Sequence, residues 1–168
     1  MDEKFLDRMD QQLTGWRDPA GQLQAALDND ELTLYCQPIR ALSGTQHYPM
    51  AEVLIRMRSE EQSLLPPGEF LPVFEHYRMM PQLDRWVVRT AARFLGRGSK
   101  VPRFTINLSG QTLEDPEFPG YVAEQAKTAG IAPGSLMFEI DEADILARPW
   151  HAELVGAALK RPHRRCHR

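Results

Sequence analysis

The chain has 168 residues, 42% hydrophobic and 26% charged, a balance that suits one folded domain with its own core and argues against disorder. Its net charge of −3 conceals an asymmetry: the last nine residues, KRPHRRCHR, carry five Lys or Arg and no acid, leaving the rest at −8. An acidic body argues against DNA or RNA as a partner. No apolar run reaches a membrane span, and the start, MDEKFLDRMD, is too charged for a signal peptide, so a cytoplasmic protein without membrane contact is expected.

Residues 1 to about 30 read as helical, with Leu23, Ala26 and Leu27 at helical spacing and a break at Asp28-Asn29-Asp30. Residues 1–19 are expected to be a helical connector to an upstream sensor or regulatory domain. LTLYCQPI (32–39) predicts a strand with Leu34 and Cys36 on one face and Thr33, Tyr35 and Gln37 on the other. After a Ser43-Gly44 turn, AEVLIRM (51–57) predicts a second strand. Strand side chains alternate, so Glu52, Leu54 and Arg56 share one face while Val53, Ile55 and Met57 share the other. Charges are seldom buried without a partner, so that face is either a wet edge or a site.

Phe70, Val73, Phe74 and Tyr77 predict a helix, which tolerates Pro72 if that residue lies in its first turn. Leu83, Trp86, Val87, Thr90 and Phe94 predict another, stopped by Gly96 and Gly98. RFTINLS (103–109) reads as a strand, FPGYVAEQAKTAG (118–130) as a helix, SLMFEI (135–140) as a strand, and 149–159 as a last helix. This alternation predicts parallel strands covered by helices, and no glycine-rich phosphate loop follows any strand. The start of a barrel is the expected α/β architecture.

In such a barrel Phe104, Ile106, Phe138 and Ile140 face the helices, which turns Thr105, Asn107 and Glu139 inward. Glu52 lies early in its run and joins them only if that strand is short or bends there. Glu52, Asn107 and Glu139 offer hard oxygen ligands suited to Mg²⁺ or Mn²⁺, Arg56 could hold a phosphate, and Gln37 could add a neutral hydrogen bond. The alternative pairs Glu52 with Arg56, uses Asn107 as a turn cap and satisfies Glu139 at a strand edge. Cys36 and Cys166 match no zinc or redox spacing. His47, His76 and His151 read as isolated surface or packing residues. The tail reads as a frame-shifted or cut end, a solvated basic extension, or a phosphate-, nucleic-acid- or metal-binding segment, the last with His163, Cys166 and His167.

Together LTLYCQPI, AEVLIRM, LLPPGEFLPVFE, LDRWVVRTA, INLSGQTLEDPEF and LMFEIDEADIL resemble, in order and spacing, the EAL family of cyclic di-GMP phosphodiesterases. The resemblance runs from about residue 20 to 150, and it implies a TIM-like (β/α) barrel of which this chain holds about the first half. Residues 20–159 would be a truncated EAL domain and 160–168 a basic tail. By resemblance Glu52, Asn107 and Glu139 match metal ligands of a site that takes two Mg²⁺ or Mn²⁺ ions. Gln37, Leu54 and Arg56 match positions that touch cyclic di-GMP, and Pro67 lies in a substrate-side loop. The tripeptide Glu52-Val53-Leu54 has valine where alanine is usual, Pro66 stands where serine is common, and Glu142 matches a supporting acid. The family's paired aspartates, catalytic lysine and later glutamates are not matched. The resemblance therefore implies impaired hydrolysis of cyclic di-GMP to the linear dinucleotide, or else an inactive nucleotide-binding or protein-interaction module. A half barrel leaves an open sheet edge, so a homo-oligomer is expected.

Overall fold

The computed structural model describes residues 18–29, 31–40, 42, 50–58 and 64–160. The expectations for residues 1–17, the Ser43-Gly44 turn, His47 and the tail with His163, Cys166 and His167 lie outside the described residues. The chain runs α1 (Pro19–Asp28), β1 (Leu32–Ile39), β2 (Met50–Arg58), β3 (Leu64–Leu65), α2 (Pro67–His76), α3 (Met80–Gly96), β4 (Phe104–Leu108). It continues as α4 (Gly110–Leu113), α5 (Phe118–Ala129), β5 (Leu136–Ile140), α6 (Glu142–Ala147) and α7 (Pro149–Lys160).

The strands form one sheet in the order β1-β2-β4-β5, with β3 paired to the far end of β2. β2, β4 and β5 are parallel, Glu52 facing Thr105 and Asn107 facing Glu139. β1 departs from the expected parallel arrangement and pairs antiparallel with β2, from Leu32 opposite Met57 to Ile39 opposite Met50. The connection between Ile39 and Met50 is too short for the crossover that a parallel pair requires, so the two form a hairpin.

Strand alternation divides the sheet. Ala51, Val53, Met57, Phe104, Ile106 and Leu108 are buried under the helices, where they meet Leu23, Phe70, Phe74, Leu83, Val88 and Phe118. Each such phenylalanine or leucine stabilises the fold by roughly 1.5–3 kcal/mol through the apolar area withdrawn from water. Phe118 and Phe138 meet edge to face, tying α5 to β5.

Two details of the helices differ from the predicted pattern. Pro72 lies in the second turn of α2, not the first, and has no N–H to give the Gly68 carbonyl one turn back. α3 buries Leu83, Trp86 and Val87 as predicted, but its inner positions towards the C-terminus belong to Val88, Ala91 and Ala92. Thr90 is half-buried and Phe94 is 56% exposed, its ring reaching only the edge of the core at Phe104. The cause is close packing of α3 on α5: a Cβ on Gly96 would collide with the Ala129 carbonyl oxygen, so only small residues fit that crossing.

Candidate functional site

The second face of the sheet carries the polar residues. Thr33, Tyr35 and Gln37 of β1 stand beside Arg56, Leu54 and Glu52 of β2, as their antiparallel register requires. Thr105 and Asn107 of β4 and Met137 and Glu139 of β5 continue the same face. Helices do not bury it: Tyr35 is 46% and Met137 39% exposed, and Asn107 and Glu139 are open to solvent.

Glu52, Asn107 and Glu139 come together here. The β2–β4 ladder ends at the Glu52–Thr105 pair, and beyond it Asn107 Nδ2 donates to Glu52 Oε1 at 3.0 Å. Asn107 in turn is the register partner of Glu139. Glu52 is the third residue of a nine-residue strand, so that strand is not short; the site forms because its ladder with β4 stops there. Gln37 lies directly opposite Glu52, and Leu54 opposite Tyr35. Arg56 is four residues further along β2, about 13 Å at the usual strand rise. Its Nη1 donates to the Ile55 carbonyl at 2.7 Å and its guanidinium carbon lies 6.0 Å from the Tyr35 ring centre. The alternative of a Glu52–Arg56 pair is thus not what the side chains adopt, nor does Asn107 spend its amide N–H₂ on a turn. Pro67 is the first residue of α2, just past β3, which pairs with Met57 and Arg58 at the Arg56 end of β2. Glu142 opens α6 and is exposed.

The turn after Asn107 is held from two sides. Asp84 of α3 is 3% exposed, and its Oδ2 accepts from the Ser109 amide (3.1 Å), Ser109 Oγ (2.8 Å) and Thr112 Oγ1 (2.6 Å). Burial pushes the Asp84 carboxyl above its ordinary range, and these hydrogen bonds from Thr112 and Ser109 only partly offset it. Ser109 Oγ also accepts from the Thr112 amide at 3.2 Å, capping the short α4. On the outer side Arg148 donates to Glu114 (2.6 Å) and Asp144 (3.0 Å), and Arg78 donates to Glu114 (3.2 Å). A side chain at Gly110 would collide with the Asp144–Arg148 pair. Arg148 beside Glu114 holds that carboxyl below its usual range. Sequence reasoning missed Asp84, which falls within a helical stripe otherwise apolar. A lone acid on a buried face is the one signal that could have found it.

Chemically, the face presents two carboxylates, an amide oxygen and the buried Thr105 hydroxyl, which has no hydrogen-bond partner among the described residues. These are donors for a hard cation and not for a soft one. No three His, Cys, Asp or Glu side chains among the described residues converge to hold a metal ion, so a cation bound here would have two carboxylates and otherwise neutral oxygens.

Residues 20–165 match the EAL domain family model. The chain is 32% identical over 144 residues to the cyclic di-GMP phosphodiesterase PdeB of Shewanella oneidensis, covering 82% of this chain and 17% of that protein. It is 31% identical over 136 residues to the cyclic di-GMP phosphodiesterase PdeF of Escherichia coli, covering 79% of this chain and 18% of that protein. Among solved structures it is similar to the FimX EAL domain of Pseudomonas aeruginosa bound to c-di-GMP, with a TM-score of 0.78 and 30% identity over 84% of this chain and 57% of that one. The chain thus spans less than a fifth of these two curated relatives, and its sheet with outer helices is the first part of a TIM-like (β/α) barrel. By its motifs, fold and matched length, the chain belongs to the EAL domain family.

Proposed function

We propose that the open face of the sheet is the first half of a cyclic di-GMP site, placing the chain in cyclic di-GMP signalling. The observation that carries this reading is the meeting of Glu52, Asn107 and Glu139 across three parallel strands, with Arg56, Leu54 and Gln37 on the same face. Glu52, Asn107 and Glu139 would hold a divalent cation, Mg²⁺ or Mn²⁺, which when bound would polarise a phosphodiester and lower the pKa of a water. Arg56 would take a phosphate oxygen, Gln37 and Leu54 would line the nucleotide, and Pro67 would border it from α2. Two carboxylates neutralise one cation better than two, so these 168 residues alone bind the nucleotide more readily than they hydrolyse it. A role as an inactive binding or protein-interaction module is the second reading, supported by the thin ligand set.

An assay of cyclic di-GMP consumption in Mn²⁺, run beside a nucleotide-binding titration, separates the two. Saturable binding with little turnover is expected, weakened about ten-fold or more by Arg56→Ala, since one charge-assisted contact to phosphate is worth 1.5–3 kcal/mol or so. Turnover that vanishes in Glu52→Ala would assign hydrolysis to these residues and displace the second reading. Absence of any binding contradicts both nucleotide readings.

The remaining features of this reading are a cytoplasmic setting, an upstream sensor or regulatory domain and a homo-oligomer. No helix among the described residues is long and apolar enough to cross a membrane, and the much greater length of the relatives leaves room for further domains. The oligomer would form along β1 and β5, which each have a strand on one side only among the described residues.

A further inference from the structure

Away from the open face, α3 carries Arg85, Arg89 and Arg93, followed by Arg97, at four-residue steps that set them along one face of the helix. Like charges at this spacing repel. The one acid of α3, Asp84, is buried against Ser109 and Thr112 and neutralises none of them. Arg85 is satisfied, with Nη2 2.5 Å from Asp115 and its guanidinium carbon 4.8 Å from the Tyr121 ring centre. Arg89 and Arg93 are exposed and make no ion pair with a described residue.

These two arginines form one wall of a cleft between α3 and α5, with Gln125 and Thr128 on the other wall and Gly96 and Ala129 at its floor. The floor is shallow because the helices touch there, which leaves the guanidinium groups, the amide and the hydroxyl as the chemistry of the cleft. Arg93 lies in the last turn, where the helix dipole favours a cation, but Arg89 is mid-helix and has no such reason to be there. Glu124, the one acid of α5, lies near the Tyr121 hydroxyl with Arg85, Arg89 and Arg93, and offsets a single charge. A cationic cleft thus stands on a chain whose body, without its last nine residues, is at −8. It lies at the C-terminal ends of α3 and α5, which lead into the starts of β4 and β5, opposite the strand ends that carry Asn107 and Glu139.

We propose that this cleft is a docking surface for an acidic segment of a partner protein, whose carboxylates are gripped in pairs of parallel hydrogen bonds by Arg89 and Arg93. An open cleft with two guanidinium groups unpaired among the described residues matches two or three acidic side chains. A nucleic acid would bring a charge at every nucleotide against the repulsion of the acidic body, and no exposed aromatic among the described residues lines the cleft to stack its bases.

The test is a fluorescence-anisotropy titration of the full 168-residue chain with labelled hexaglutamate, at low and at physiological salt. Saturable binding is expected, about ten-fold weaker in the Arg89→Ala/Arg93→Ala double variant and unchanged in Glu52→Ala. Arg89→Lys/Arg93→Lys, which keeps the charge and loses the two-pronged geometry, is expected to fall between, and it serves as the folding control. Failure to bind, or equal binding by the double alanine variant, overturns the proposal, the latter by assigning the peptide to the basic tail. A hexathymidine oligonucleotide that binds as tightly with the same arginine dependence overturns it in favour of nucleic acid.

Discussion

Asp84 gathers three hydrogen bonds on one oxygen beneath the turn that follows Asn107, and it does so almost out of reach of water. Removing water disfavours the charged form, so its folded pKa lies above the ordinary value near 3.8. By linkage, the folded state holds this proton more tightly than the unfolded chain. The resulting stability is fully present below about pH 3.8 and is lost as pH rises through the raised value. In melts across that range, the stability of the wild type relative to Asp84→Asn is expected to decline with rising pH. A difference that grows with pH would contradict the assignment. At the same scale, strand parity made Glu52, Arg56, Asn107 and Glu139 legible, because a period of two fixes which side chains share a face. Asp84 was not legible, since its partners Ser109 and Thr112 lie more than twenty residues away and meet it only through tertiary packing.

At the scale of elements, the approach of α3 to α5 decides what each helix exposes. Gly96 fits against the Ala129 carbonyl with no room for a methyl group, and the obstacle is backbone, which cannot swing aside. Gly96→Ala is therefore expected to destabilise the fold by about 1–3 kcal/mol, read as a lower midpoint in thermal or urea unfolding. An unchanged midpoint would mean that the helices separate at no cost. The same crossing explains why the predicted stripe of α3 failed at Thr90 and Phe94: hydrophobic periodicity marks an apolar face but not which neighbour presses on it. Likewise β1 was recognisable as a strand, while its antiparallel partnership depended on the length of the connection to β2.

For the whole molecule, the sheet buries one face under helices and leaves the other open, with β1 and β5 each lacking a neighbour on one side among the described residues. Unpaired N–H and C=O groups along such edges favour pairing between chains. Sedimentation at low concentration is expected to give a mass above the 19.2 kDa of one chain, and a rigid monomer would contradict this. The barrel lineage was legible from six motifs in register, whereas the meeting of Glu52 with Asn107 depended on where one ladder stops. The most direct test of the open face as a metal-and-nucleotide site is calorimetric titration of cyclic di-GMP with and without Mn²⁺, for the wild type and Glu52→Gln. Mn²⁺ is expected to strengthen binding to the wild type, and Glu52→Gln to remove this gain while folding as before. Binding indifferent to Mn²⁺ in both proteins, or no binding in either, would contradict it.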